Sequence, residues 1–225
     1  MSSLDTLLIR TLGRQAYQPV WQAMQSFTEN RTSDTPDEIW LLEHEPVFTL
    51  GRNGKKEHIL TETDIPVIKI DRGGQVTYHG PGQLIVYLLI DIKRRNLGVR
   101  KLVTQIEQSI IETLAEYQLK AYAKKEAPGV YIDDAKIGAL GLRIKKGCSF
   151  HGLSLNLDMD LSPFAQINPC GYKNLEVIQL SDYIKGVRLS DVQQKLAFHL
   201  SDRIGYKDII WKEAYKRIDT DCSIV

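Results

Sequence analysis

The sequence predicts an α+β fold, built on a mixed and largely antiparallel sheet flanked by helices. Strand-like segments cluster in the middle of the 225 residues, amphipathic helical patterns stand at the flanks, and no repeat or low-complexity tract divides the chain.

Taken in order, Ala16, Val20, Ala23, Met24 and Phe27 recur at helical spacing. A polar stretch, residues 28–37, ends that helix. Ile39-Trp40-Leu41-Leu42 and Val47-Phe48-Thr49-Leu50-Gly51 then read as strands broken at Glu45-Pro46, which predicts a hairpin. Pro66-Val67-Ile68-Lys69-Ile70 is a further strand, and the unbroken apolar run Leu84-Ile85-Val86-Tyr87-Leu88-Leu89-Ile90 marks one buried on both faces. Leu102, Val103, Ile106, Ile110 and Leu114 form a second amphipathic helix. Residues 129–132, 136–144 and 149–157 follow as a meander, with Asp133-Asp134 and Lys146-Gly147 at its turns. Ser190-Asp191-Val192-Gln193 has the capping-box pattern and opens a helix that turns Val192, Leu196 and Leu200 inward. Residues 208–217 are expected to close the chain as another helix.

Composition narrows the function. A net charge of +1 gives no field that would make nucleic acid or an anionic membrane the main partner. The short basic runs Lys93-Arg94-Arg95, Arg100-Lys101, Lys124-Lys125 and Lys145-Lys146 read as solvated faces, or as places to receive an acidic protein. Three cysteines without regular spacing argue for a reducing compartment rather than a disulfide framework. Met1-Ser2-Ser3-Leu4-Asp5 lacks a basic or apolar leader, and no apolar run reaches the length of about 18 residues a membrane span needs. A soluble, cytoplasmic protein is expected. No His/Cys pair has metal-ligand spacing, and neither a phosphate-binding GxxxxGK[ST] nor a strand-linked GxGxxG occurs, so no metal or simple nucleotide site is expected.

Two constellations carry chemistry. The first is Arg72-Gly73-Gly74-Gln75-Val76-Thr77-Tyr78-His79-Gly80-Pro81-Gly82-Gln83, which sets four glycines and a proline between two strands. A spacer needs no such composition, whereas a wall of main-chain N–H and C=O groups pressed close to a ligand does. The second is Gln166-Ile167-Asn168-Pro169-Cys170-Gly171-Tyr172, a lone cysteine pinned between proline and glycine. A lone cysteine is more often a small buried hydrophobe, and as a nucleophile it needs a nearby positive charge or base. Lys136 offers one, because it opens a strand of otherwise interior residues. At contact distance and an effective dielectric of about 20, the attraction of a lysine for a thiolate is about 4 kcal/mol before desolvation. His79 lies within the glycine loop, and strand alternation places His151 on the face of Leu153 and Leu155. Both read first as satisfied core histidines, and His44, His58 and His199 as surface or packing residues.

Together the 72–83 loop, the Lys136-Ile137-Gly138-Ala139-Leu140-Gly141-Leu142-Arg143 strand, the His151-Gly152-Leu153-Ser154-Leu155-Asn156 segment and the Asn168-Pro169-Cys170-Gly171-Tyr172 turn resemble the lipoyl(octanoyl) transferases. The four motifs stand in that family's order and span roughly residues 40–180. The resemblance implies the fold of lipoate and biotin protein ligases, as one catalytic domain over residues 1–225, monomeric and without a cofactor. It implies transfer of an octanoyl group from acyl carrier protein to a lysine of lipoyl domains in 2-oxoacid dehydrogenases or of the glycine cleavage H protein. By the same resemblance Cys170 is the nucleophile and Lys136 its partner, while residues 72–79, Ala139, Leu140 and Gly141, and Gly152, Leu153 and Ser154, line the acyl and pantetheine site. Gly138 stands where many relatives carry alanine, a change expected to widen the tunnel slightly.

Other readings of the same residues are an ATP-dependent lipoate ligase of this fold, a non-catalytic module that docks carrier or lipoyl domains, and a Cys/His hydrolase. The Pro169-Cys170-Gly171 turn speaks against the first, since an adenylating enzyme needs no cysteine there. The second would leave Cys170 and Lys136 replaceable, and the third would waste the thioester.

Overall fold

The computed structural model describes residues 5–172 and 175–212. Strand β1 (Thr6–Gln15) leads into helix α1 (Tyr17–Asn30), then β2 (Asp37–His44), β3 (Val47–Leu50), β4 (Val67–Lys69), β5 (Val76–His79) and β6 (Gln83–Leu89). After α2 (Val99–Ala115) come β7 (Tyr122–Ala123), β8 (Val130–Ile132), β9 (Ala135–Lys145) and β10 (Cys148–Asn156), followed by α3 (Leu189–Ile204) and β11 (Asp208–Lys212). Eight strands form one mixed sheet in the order β11-β1-β2-β6-β10-β9-β8-β7, and β4-β3-β5 form a second.

β6 lies between β2 and β10, antiparallel to both, and every one of its residues is buried. Its side chains alternate between two cores. Leu84, Val86 and Leu88 pack with Leu102, Ile106 and Ile110 of α2 and Leu196 and Leu200 of α3, while Ile85, Tyr87 and Leu89 pack with Val20, Ala23 and Met24 of α1. With both faces covered the strand has no polar side, hence the continuous apolar run. Burying each such side chain contributes about 1.5–3 kcal/mol.

β8, β9 and β10 form the expected meander. Both two-residue turns have left-handed backbone, with φ of 46° and 70° at Asp133 and Asp134 and of 52° and 82° at Lys146 and Gly147, the conformation that matches strand twist.

Four expectations differ from the structure. β1, with Leu7 and Ile9 fully buried, is a strand that the sequence pattern did not reveal. β2 and β3 are not a hairpin: β2 joins β1 and β6 in the large sheet, and β3 joins β4 and β5 in the small one. At Glu45-Pro46 the chain changes sheets instead of reversing. α3 begins two residues early, with Arg188 rather than Ser190 at its N-cap, so the Ser190 to Gln193 box does not form; Arg188 instead holds Asp191 through hydrogen bonds of 3.0 and 2.9 Å. Residues 208–212 are a strand, because Ile209, Ile210 and Trp211 suit an extended backbone and β1 offers an open edge. Residues 213–217 of that expected helix lie outside the described residues.

Candidate active site

The 72–79 segment, from the end of the loop after β4 through β5, faces β9 and β10 across a narrow cleft of about 60 Å³. Arg72, Gly74, Gln75, Val76, Thr77 and His79 line one side. On the other, Ala139, Leu140 and Gly141 of β9 pair directly with Ser154, Leu153 and Gly152 of β10, and Cys170 completes the lining. Two of the expected lining residues lie elsewhere. Tyr78 points across β5 into a separate core, its ring 5.5 Å from Phe48 and 5.6 Å from Phe164. Gly73 braces the wall from behind, donating its N–H to Leu142 O and accepting from Arg72 Nη1. Tyr17, Ile85, Tyr87 and His151 line the cleft without having been assigned to it. The one tyrosine in the aliphatic run of β6 was the available signal.

Gly51, Gly74 and Gly141 make room for Arg72. A Cβ at Gly51 would lie 2.9 Å from Arg72 Nη1, and one at Gly141 would lie 2.9 Å from Arg72 Cδ. The guanidinium donates to Gly73 O at 2.8 Å, Thr49 O at 2.7 Å and Thr49 Oγ1 at 2.8 Å, all neutral oxygens. Burial pushes its pKa down, opposed by Tyr17, Cys170 and Tyr87 rather than by a carboxylate. A buried positive charge facing the cleft, with no carboxylate partner among the described residues, favours an electron-rich ligand atom.

Two buried histidines have their tautomers set by their partners. His44 Nδ1 donates to Gln15 O at 2.9 Å, so Nε2 accepts from the Tyr87 hydroxyl at 2.7 Å. His79 Nδ1 donates to Gln83 Oε1 at 2.7 Å, because the Gln83 amide nitrogen is committed to Asn156 Oδ1 at 2.8 Å. Burial holds His44 down to about 4, and burial with the neighbouring charge of His44 holds His79 down to about 3. Both are neutral at neutral pH. His44 is thus a core residue beside the cleft, more specific than general packing.

His151 departs from the strand rule. Its φ of 60° breaks the alternation, and the ring stacks on Phe150 at 5.0 Å and meets Tyr87 at 6.2 Å, on the face opposite to Leu153 and Leu155. There Nε2 pairs with Asp71 Oδ1 at 2.9 Å, and Asp71 also accepts from Trp21 Nε1 at 3.0 Å.

Cys170 occupies a single 3₁₀ turn, Pro169–Gly171, with φ 57° and ψ 14°. A left-handed non-glycine residue costs about 1–3 kcal/mol and persists only where its surroundings enforce it. They do so on both sides. Before the turn, Asn168 N donates to His58 O at 2.8 Å and Ile167 bridges Ile59. After it, Lys136 N donates to Glu176 O at 2.8 Å and Ile178 N to Lys136 O at 3.0 Å. His58, read from the sequence as a surface or packing residue, helps to hold the turn through its carbonyl. Lys136 is only 4% exposed, with Nζ 3.3 Å from Cys170 Sγ, 3.3 Å from Pro128 O and 5.2 Å from the centre of the Tyr131 ring. Burial works against its charge, and the sulfur and Tyr131 more than offset it, so its pKa is raised. Gly138 does not face the cleft: a Cβ there would meet Ser154 O at 3.4 Å and Ile110 of α2 at 3.6 Å. Tunnel widening by this glycine is therefore not what the structure supports. Among the described residues no three His, Cys, Asp or Glu side chains are grouped to hold a metal ion, and no helix is long and apolar enough to cross a membrane.

A mixed sheet with a glycine-walled cleft and a buried cysteine-lysine contact at its side defines an α+β domain with an enzyme-like site. Residues 16–201 match the lipoyl protein ligase A/B catalytic domain, and the chain belongs to that family. It is 58% identical to the octanoyltransferase of Shewanella oneidensis over 205 residues, 91% of this chain and 94% of that one. It is 60% identical to the octanoyltransferase of Shewanella denitrificans over 206 residues, 92% and 91% of the two chains. Likeness of this extent makes it an enzyme of the acyltransferase class. Among solved structures, a lipoate-protein ligase A bound with ATP superposes with a TM-score of 0.74 at 14% identity, covering 96% of this chain and 89% of that one. A biotin protein ligase from Aquifex aeolicus in complex with biotin and ATP reaches 0.56, also at 14% identity, covering 89% and 72%. At such identities these two share the fold.

Proposed function

We propose that the chain moves an octanoyl group from acyl carrier protein to a specific lysine of lipoyl domains, those of 2-oxoacid dehydrogenases and of the glycine cleavage H protein, through a thioester on Cys170. The observation that carries this reading is the 3.3 Å contact between Cys170 Sγ and Lys136 Nζ in a strained turn beside the cleft. The names of the relatives support the acyl group. The enzyme acts as a single-domain monomer in the cytoplasm; it takes no cofactor, because the donor thioester is already activated, its acyl group passes to Cys170 as another thioester, and formation of the amide is downhill from there.

In the first half-reaction the Cys170 thiolate attacks the donor thioester, the carbon–sulfur bond to the carrier breaks, and the departing sulfur takes a proton from the Lys136 ammonium. In the second, the acceptor lysine's neutral amine attacks the Cys170 thioester, its proton passes to the Lys136 amine, and the Cys170 thiolate is regenerated. Arg72 supplies positive charge next to the reacting carbonyl, with Gly74, Gln75, Val76, Thr77 and His79 on one wall and residues 139–141 and 152–154 on the other.

Intact-mass analysis tests this reading. Protein given octanoyl carrier protein gains about 126 Da, one octanoyl group replacing a thiol hydrogen, and hydroxylamine removes it. Cys170→Ser abolishes the adduct and turnover, while Cys148→Ser and Cys222→Ser do neither. Substrate consumed with the mass unchanged rejects the covalent route. Transfer of free lipoate that depends on ATP would favour the ligase reading.

A further inference from the structure

The peptide group between Pro128 and Gly129 has an ionisable side chain at each end. Its carbonyl accepts from Lys136 Nζ at 3.3 Å, and its N–H donates to Glu107 Oε1 at 3.0 Å. This peptide is trans, so the two groups point in opposite directions and one planar unit links carboxylate to ammonium. Glu107 lies in α2 and is 9% exposed, between Ile106 and Ile110, both core residues. A carboxylate in that position is costly unless it meets donors or opposite charge.

Gly129 is shaped to the same arrangement. Its φ is 144°, and a Cβ there would stand 3.0 Å from Lys136 Cε, 3.2 Å from Lys136 Nζ and 2.9 Å from Gly138 O. A side chain at this position would push the ammonium aside, so the close approach requires glycine.

We propose that Glu107 is a positioning residue for Lys136, acting through the Pro128 to Gly129 peptide to fix and polarise the carbonyl that holds the ammonium against Cys170. The inference rests on the cysteine-lysine reading of the site. A charged acceptor on the N–H of a peptide strengthens its carbonyl as an acceptor, and hydrogen bonds in such a chain reinforce one another. The ammonium has three donors, of which one goes to Pro128 O and one to Cys170 Sγ. When the sulfur is acylated and no longer anionic, the Pro128 carbonyl and the Tyr131 hydroxyl remain to keep the lysine in place. The other titratable groups around the ammonium are Tyr131 and, across that ring at 4.5 Å, Lys124.

The test compares Glu107→Gln, Glu107→Asp and Lys136→Met in the full chain. Glutamine keeps an oxygen for the Gly129 N–H and removes the charge. Expected for Glu107→Gln are a kcat about tenfold lower, a KM for octanoyl carrier protein within about twofold, and a pH profile of Cys170 alkylation by iodoacetamide displaced toward that of Lys136→Met, with aspartate recovering part of both effects. A Glu107→Gln protein with the wild-type alkylation profile overturns the inference, whether its kcat is unchanged or falls only in step with its Tm. If Lys136→Met itself leaves alkylation and turnover unaltered, the two-residue site is wrong, a result distinct from failure of the Glu107 variant alone.

Discussion

His151 Nε2 lies 2.9 Å from Asp71 Oδ1, so a buried imidazole that lines the cleft is oriented by a partly exposed carboxylate 80 residues away in sequence. Burial opposes the charge on Asp71, and the hydrogen bond and charge of His151 with the Trp21 N–H hold its pKa down to about 2. Asp71→Asn is expected to lower stability by on the order of 1 kcal/mol, since the carboxylate is still partly solvated, a fall in Tm of about 2–4 °C. Calorimetry on the variant checks it. An unchanged Tm would mean that Trp21 and the strand fold hold His151 without the aspartate.

Acid is expected to destabilise the protein well before its carboxylates are protonated. His44 and His79 have folded values of about 4 and about 3 against 6.5 for an unstrained histidine. Between those limits the unfolded chain binds protons that the folded chain does not, so stability falls as pH drops below 6.5 and continues to fall toward the folded values. Each histidine accounts for about 2 kcal/mol lost by pH 5, at 1.36 kcal/mol per unit. Urea midpoints measured at pH 7 and pH 5 report the loss, and His79→Gln should flatten the slope between them.

Two glycines on one strand should respond in opposite ways to alanine. At Gly141 a methyl would crowd Arg72 Cδ at 2.9 Å, so Gly141→Ala displaces the guanidinium from the cleft and turnover falls by at least about tenfold. At Gly138 the nearest neighbours are at ordinary contact distance, and alanine restricts only the unfolded chain. Gly138→Ala is expected to stabilise by about 0.4–1 kcal/mol with activity intact. Thermal melts and steady-state rates on both variants decide the matter; equal rates would show that Arg72 has room to move.

The proposed mechanism gives Lys136 two duties, charge and proton exchange. Lys136→Met should slow iodoacetamide alkylation of Cys170 at neutral pH and abolish transfer. Lys136→Arg retains the charge but does not readily exchange a proton, so alkylation persists while the proton owed to the departing carrier sulfur is withheld and acylation itself fails. Little or no acyl-enzyme in the arginine variant, seen by intact mass, is the expected result. Acylation and transfer at wild-type rates would confine the lysine to an electrostatic part.

The apolar run at residues 84–90 announced the central strand because full burial on both faces leaves no ambiguity, and the meander was legible from its two turn pairs. Glu45-Pro46 misled because a proline reports where a ladder stops, not which sheet the next strand joins. Cys170 and Lys136 were legible as unusual residue types in unusual company, and the strand pairing of 139–141 with 152–154 followed from the meander. Tyr17, Tyr87 and His44 were not, since their convergence depends on α1 packing over β6, a contact between segments seventy residues apart. His151 was placed on the wrong face because a single left-handed residue inside a strand has no signature in a histidine codon position or in its apolar neighbours.

The turn bearing Cys170 is tied at its two ends to different sheets. Its leading residues bond to residues 58–60, which run from the small sheet, and its trailing residues run beside Lys136 in the large one. The cysteine therefore rides on the gap between the sheets as the pivot of a caliper. On the proposed mechanism, an acyl chain that spreads the walls is expected to swing the sulfur away from its lysine, which would convert fit along the chain into reactivity at its head. Chains longer than the cleft admits should bind and yet acylate Cys170 slowly, and single-turnover rates across a series of chain lengths would expose a drop in the acylation step that equilibrium binding does not share.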